Sequence, residues 1–367
     1  MEEDIKSLKK SKEYSTIIIK DSLEGMYAAA ILTHALKNEK KSFGIQWTNK
    51  SSIKQAAPKK RVIGVGVEIS TEYPGIQLNK ENIIIKEIQE FAEGINPAND
   101  TTAEIVKIYE YATHQEQKGY SVIDLGEIKD MPLQKMLSIT TNPFMPEITE
   151  NEEAAITLCK QAQLQLRQEN KIKTLLDLTT EEQTKLIKEI QKKQLGKQVT
   201  HNTTIYKEKP DQAYLVELCY QKEKRGMAIG ILLEDSAAKK EAFQLYIQTQ
   251  KEFIKVLRQY QKSTRQEGKE AVIIPLQQVK KEEIPKLLHY LKEKECHPQK
   301  TIIILAPTIE GTTFLGYEGS KTIVEQLLEP LVVKKEQGGY ELTTEQEKEF
   351  MRNAKERLAL LIVEEKV

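Results

Sequence analysis

Lys20-Asp21-Ser22-Leu23-Glu24-Gly25 places two carboxylates, a hydroxyl and a cation within six positions. Glu87 and Asp130 would add two more carboxylates if the fold brought them to the same place. Carboxylate oxygens suit hard divalent cations such as Mg or Mn, and two such ions about 3.5–4 Å apart can activate water and clamp a phosphate. Asp21, Glu24, Glu87 and Asp130 are enough for a single rebuilt ion site and too few for a two-ion cage. His34, His114, His201, His289 and His297 are scattered, and His34 falls inside a helix as a structural residue. Cys159, Cys219 and Cys296 lie far apart without CxxC spacing, which excludes a zinc site and a disulfide frame.

The elements that must position these groups start with Ile17-Ile18-Ile19, a β-branched run of buried-strand type. Gly25 permits a sharp turn, and Ala28 to Leu32 open a helix that can lie close on a sheet. In an open α/β sheet the loop after a strand's carboxyl end is where ligands bind, so Lys20 to Gly25 is the chemical end of this strand. Val62 to Val67 reads as another strand, Asn82 to Ile88 as a third, and Thr101 or Thr102 as the cap of a helix over Ala103 to His114. Strands alternating with helices imply a parallel sheet.

From Glu150 to Leu195 glycine and proline vanish, and Thr179-Thr180-Glu181-Glu182-Gln183 reads as a capping box. Ala213 to Tyr220 and Met227 to Leu233 read as paired strands around the turn Gln221 to Gly226. A long amphipathic helix covers Ala237 to Lys262, and strands at Ala271 to Leu276 and Thr301 to Leu305 flank a helix at Ile284 to Lys294. A short helix follows Gly319, a hairpin turns at Gly338-Gly339, and Thr344 with Glu347 caps a last helix. The organisation is thus α/β, with a parallel-sheet domain over 1–149, a helical connector over 150–200 and a second α/β domain over 201–367.

Lys plus Arg and Asp plus Glu each number 55, a zero balance that argues against binding dominated by nucleic-acid phosphates. Local basic clusters remain at Lys59-Lys60-Arg61, Lys192-Lys193 with Lys197, Lys222 with Lys224-Arg225, and Lys334-Lys335. Tyr220 and Tyr340 stand beside two of them, which suits weak stacking on single-stranded bases; a solvated lysine-rich face is the plainer reading. Gly316 to Thr322 lacks the phosphate-loop spacing and reads as an ordinary turn into a helix. No apolar run has membrane-spanning length, so a cytoplasmic, nucleoid-associated protein is expected. The charged fraction of 30% suits the surface ion-pair networks of a thermophile.

The segment Lys20 to Leu32 resembles the first motif of the DHH phosphoesterases, the RecJ-like superfamily, in which a His and two Asp precede the Gly. Here Lys20, Ser22 and Glu24 hold those places. Ile63-Gly64-Val65-Gly66 resembles the second motif with Gly64 in place of its Asp, and Lys86-Glu87-Ile88 stands where Asp-His-His is expected. Asp124-Leu125-Gly126-Glu127-Ile128-Lys129-Asp130 fits the fourth motif and keeps its Asp130. Gln337-Gly338-Gly339-Tyr340 resembles the Gly-Gly-His turn of the DHH-associated domain, with Tyr in place of His. The resemblance implies nucleic-acid contacts at Gly338, Gly339 and Tyr340, and the basic stretch Tyr220, Lys222, Lys224 and Arg225 joins them as a candidate. With Ser22, Gly64, Lys86 and Ile88 replacing ligands, the resemblance implies a nuclease site retained as scaffold, without bound metal or cofactor. It points to the archaeal relatives of the replication factor cell-division-cycle protein forty-five. That group implies GINS as a direct partner and the MCM helicase through it, with no more than weak single-stranded DNA binding. A divergent Mn- or Mg-dependent single-strand exonuclease or oligonucleotide phosphoesterase, and a free-standing single-strand-binding repair protein, are the alternatives.

Overall fold

Ile17, Ile18 and Ile19 are all buried, as a β-branched run at the centre of a sheet should be. They belong to β1 (Ser15–Lys20), which pairs in parallel with β2 (Phe43–Thr48) on one side and β3 (Arg61–Val65) on the other. β4 (Gly75–Leu78) adds in parallel to β3, giving the order β2-β1-β3-β4. The computed structural model describes residues 2–11, 14–53, 61–69, 75–78, 82–97, 100–113, 122–123, 131–168, 171–195, 204–205, 211–277, 279–294, 296–308, 311–329, 331–336, 338–358 and 361–363. Asp124 to Asp130, Lys59-Lys60, His114, Lys197, His201 and Gln337 lie outside the described residues.

The chain divides into two units. One comprises Met1–Gly119 with Glu208–Ile247, and the other Tyr120–Lys207 with Gln248–Val367. This differs from a division at 149 and 200, because the segment from Glu208 returns to the N-terminal unit.

In the first unit the helix Leu23–Asn38 follows β1 at once, N-capped by Ser22, whose Oγ accepts the Gly25 N–H at 3.1 Å. Gly25 is required here: a Cβ would stand 2.3 Å from the Lys20 carbonyl oxygen. Met26 to Leu32 are buried without a break, so the helix start is enclosed on every side. β2 is not among the expected strands. Its Phe43-Gly44-Ile45-Gln46-Trp47 alternation is half-buried at the sheet edge, where short strands carry a weak signal.

Two strand expectations are corrected. Asn82 to Ile88 does not form a strand; Ile85–Ile95 is a helix. Ile85, Ile88, Phe91, Ala92 and Ile95 are its buried residues, and their spacing of three and four makes one helical face despite the local Ile run. Ala213 to Tyr220 and Met227 to Leu233 are likewise helical, as Asp211–Gln221 and Arg225–Leu232. Ala213, Val216 and Cys219 repeat at three-residue intervals and are buried, which a half-exposed strand would not allow. The expected turn is real but joins helices. Glu223 adopts φ +56°, and the Lys224 N–H reaches back to the Cys219 carbonyl at 2.7 Å. Both helices pack on Leu23–Asn38.

The second unit carries a seven-stranded mixed sheet. Its strands are β5 (Arg265–Glu267), β6 (Ala271–Pro275), β7 (Thr301–Pro307), β8 (Thr313–Glu318), β9 (Lys334–Glu336), β10 (Gly339–Leu342) and β11 (Leu361–Val363). Their order is β9-β10-β8-β7-β6-β5-β11, with β6 and β7 the parallel pair. Side chains alternate between two cores: Val272, Ile274, Ile302 and Ile304 pack with Leu257, Tyr260 and Leu287, whereas Ile273, Ile303 and Leu315 pack with Leu327 and Phe350. The expected helices appear at Ser236–Lys262, Ile284–Glu293 and Lys321–Leu328, and β9 and β10 form the expected hairpin. The last helix, Thr344–Leu358, is capped one residue earlier than expected. Thr343 and Gln346 exchange the capping bonds at 2.8 and 3.3 Å, while Glu347 accepts from Thr313 Oγ1 at 2.6 Å.

The connector is helical at Glu152–Gln161 and Thr180–Lys193, and the Thr179–Glu182 capping box is present. Between those helices runs a small antiparallel ribbon, Arg167–Gln168 with Lys171–Ile172, followed by a 3-10 turn at Leu175–Asp177. Lys173, almost wholly buried, joins this ribbon to the helix through Glu182 at 2.7 Å. Among the described residues no helix is long and apolar enough to cross a membrane.

Candidate functional site

The carboxyl end of β1 delivers Lys20 and Asp21 beside the helices of the first unit. Asp21 stays hydrogen-bonded to the sheet edge, its N–H donating to the Thr48 carbonyl at 2.8 Å. Its carboxylate takes the guanidinium of Arg225 in a two-pronged pair: Nε lies 2.9 Å from Oδ1, and Nη2 contacts Oδ2. Such a fork matches both carboxylate oxygens at once. Asp21 and Arg225 are 12% and 24% exposed, so water screens the pair only in part. The Asp21 hydrogen bond raises the Arg225 pKa further above its ordinary value, and the guanidinium is permanently charged. The Trp47 ring centroid lies 6.0 Å from the guanidinium carbon, and Tyr220 donates from its hydroxyl to the Asp21 carbonyl at 3.4 Å.

Tyrosine hydroxyls and carboxylates gather along the same helices. Burial, then the charges of Glu217 and Tyr109, push the Tyr27 hydroxyl pKa well up, and Tyr27 meets Tyr109 edge to face at 5.2 Å. Burial and the Glu24 charge raise Tyr109, and burial with Asp21 raises Tyr220. These phenols are therefore neutral throughout the physiological range and do not act as bases.

Among the described residues, the remaining predicted ligand positions do not come together as a cage. Ser22 is committed to capping its helix. Gly64 is buried, and a Cβ there would stand 2.4 Å from Ile69 Cδ1 and 3.1 Å from the Val67 carbonyl oxygen, so Ile69 occupies the space of an acidic side chain. Lys86 is exposed, Glu87 half-buried and Ile88 fully buried within a helix, rather than all three standing at a strand end. Asp130 is outside the described residues. Among the described residues no group of three or more His, Cys, Asp or Glu could hold a metal ion. The described residues do not fit a two-ion site.

The candidate nucleic-acid residues fall in separate units. Lys222 and Lys224 are exposed, but Arg225 and Tyr220 are turned to Asp21. Tyr340 is 8% exposed and stacks on Tyr317 at 6.2 Å within the second core, so its ring faces are not presented to bases. Gly338 takes φ +82°, and at Gly339 a Cβ would stand 2.0 Å from the Leu315 carbonyl oxygen. That glycine is accounted for by close strand packing. The turn into Lys321–Leu328 borders a cavity of about 780 Å³ lined in part by Lys292, His297, Lys300 and Ser320. Lys292 pairs with Glu318 and Lys300 with Glu267, which leaves little net charge for a phosphate.

The Asp21–Arg225 pair is not legible in the sequence. There Asp21 enters only as one carboxylate of the alternative single-ion site and Arg225 as a nucleic-acid contact, and no spacing rule joins positions 204 residues apart.

Residues 128–205 match the DHH-CID domain family. No curated protein sequence matches the chain. Among solved structures, Cdc45 from Entamoeba histolytica is similar at 9% identity and a TM-score of 0.48, covering 96% of this chain and 99% of that one. Manganese-bound exonuclease RecJ is similar at 10% identity and a TM-score of 0.41, over 98% of this chain and 94% of that one. RecJ from Thermus thermophilus with Mg2+ is similar at 11% identity and a TM-score of 0.39, over 98% of this chain and 52% of that one. The family assignment thus rests on the match of residues 128–205 to the DHH-CID domain.

Proposed function

We propose that the chain is a non-catalytic RecJ-like scaffold subunit of a replicative helicase complex, binding GINS and through it stimulating MCM. The observation that carries this reading is the guanidinium of Arg225 on the Asp21 carboxylate at the chemical end of β1. The Asp21 carboxylate, which belongs only to the alternative single-ion set, is already neutralised there, while the strand end, the Gly25 turn and the Ser22 cap are kept. A fold that keeps its frame while Ile69 fills the space beside Gly64 and Ile88 is buried in a helix is retained for its surfaces. The expected result is co-elution with GINS at micromolar concentration and higher MCM unwinding by the pair, with no nuclease activity in Mn or Mg. Separate elution of co-expressed proteins defeats the reading, and so does metal-dependent hydrolysis of single strands that is lost in Glu24→Ala.

On this reading the partner contact lies on the DHH-CID stretch. Leu164 is 6% exposed and packs internally, so recharging it would unfold the region instead of testing contact. Ile172 and Leu176 are 39% and 43% exposed beside the ribbon and the 3-10 turn. Ile172→Glu with Leu176→Glu is expected to weaken partner binding at least about tenfold with the melting temperature almost unchanged. Unaltered binding by titration calorimetry would move the contact elsewhere.

A further inference from the structure

We propose that Arg225 is the resident cation at the end of β1, a side chain that holds both oxygens of the Asp21 carboxylate and closes that group to a divalent ion. The inference goes beyond the scaffold reading and does not depend on any partner. Both oxygens of Asp21 are engaged by one guanidinium, so an ion approaching Asp21 must first displace the fork. Displacement is opposed on a second side by Trp47, whose ring lies within cation–π range of the same group.

The backbone sets Arg225 in this position. Glu223, in the left-handed region, separates one helix from the next, and Arg225 is the first residue of the second, so its side chain starts from a turn with little freedom. The tight turn is closed by the Lys224 N–H to the Cys219 carbonyl at 2.7 Å and the Glu223 N–H to the Tyr220 carbonyl at 3.0 Å. Tyr220, in the last turn of the preceding helix, reaches the Asp21 carbonyl. One short connection therefore supplies both contacts to the strand end. Of the neighbouring candidate positions, Ser22 caps a helix and Ile69 fills the space beside Gly64.

The test is chemical rescue of the whole 367-residue chain. Arg225→Ala should lower the melting temperature by roughly 4 °C and leave a cation-sized gap against Asp21. Methylguanidinium or Mn2+ at about 10 mM, compared with KCl of equal ionic strength, should then restore part of that loss by mass action. Neither should stabilise wild type or Asp21→Asn/Arg225→Ala, because the first has no gap and the second has no charge to fill it for. Rescue of Arg225→Ala by neither cation overturns the proposal, as does equal stabilisation of wild type. Should Arg225→Ala fail to fold, Arg225→Lys and Arg225→Gln carry the comparison. A point charge should retain more of the melting temperature than the neutral isostere, and equal losses overturn the proposal. Failure here leaves the helicase-subunit reading standing, since that is decided by partner binding.

Discussion

Gly64→Asp, which returns a carboxylate to the end of β3, is expected to destabilise the protein by roughly 3–5 kcal/mol and to create no Mn2+ site. Gly64 is buried, and its Cβ position is already within 2.4 Å of Ile69 Cδ1 and 2.7 Å of Ile69 Cγ1. An aspartate must push Ile69 aside or point its charge into the apolar cluster formed with Ile18, Val62 and Ile53 nearby. An unpaired buried carboxylate carries a desolvation penalty of several kcal/mol, and the Arg225 guanidinium is already held by Asp21. Urea unfolding followed by circular dichroism measures the loss. Combining Gly64→Asp with Ile69→Ala should recover part of it, because the clash is removed while the charge remains. A Gly64→Asp protein as stable as wild type, or one that binds Mn2+, would show that the strand end is still open to a metal.

The second large effect is expected at Gly339. Gly339→Ala should cost about 3 kcal/mol, because its Cβ would stand 2.0 Å from the Leu315 carbonyl oxygen and 2.9 Å from Phe314 Cζ. Those atoms belong to β8, which pairs with β10 in register Leu315 to Tyr340 and Gly316 to Gly339, so they cannot retreat without opening the ladder. Gly338→Ala is the internal control. Its φ of +82° is unfavourable for alanine, but the nearest neighbour of a Cβ there is Pro285 Cγ at 3.8 Å. The backbone penalty alone is roughly 1–2 kcal/mol. Thermal unfolding of both variants should therefore rank Gly339→Ala below Gly338→Ala. The opposite ranking would mean that the hairpin yields at Gly339, and the glycine would then need an explanation outside packing.

These glycines show how far sequence reading reaches. Glycine marks close approach, and Gly25, Gly64 and Gly339 each stand out in the sequence by their place at a turn or strand end. What approaches them is not legible there in every case. At Gly25 it is the backbone carbonyl of Lys20, a local relation that the strand–turn–helix pattern implies. At Gly64 it is Ile69, and at Gly339 it is Leu315, and both depend on how strands lie beside one another.

The same divide runs through the elements. Ile17 to Ile19 and Ile302 to Leu305 form the buried strands their composition implies, since runs bounded by clear turns leave little choice. Ile83-Ile84-Ile85 does not. β-branched residues favour strands only as a weak prior, and the burial of Ile88, Phe91 and Ile95 on one face outweighs it. The Ala213 to Leu233 region departs from expectation for a related reason. Its residues are apolar enough to be buried as either element, and the decision comes from packing on the helix Leu23–Asn38.

By itself the sequence determined the α/β class, the strand–Gly25–helix unit, the Thr179 capping box, the long helix before Lys262 and the Gly338-Gly339 hairpin. Each of these depends on residues within a turn or two of one another, where periodicity, capping and φ preferences act directly. Tertiary structure alone decided that Asp211 to Leu232 returns to the first unit, that Ile69 fills the place beside Gly64, and that Arg225 neutralises Asp21. These are contacts settled by how strands and helices lie together, the last of them between segments remote in the chain. Their energy comes from burial and from charges brought together by the fold, and neither is written into the spacing of the residues that make them.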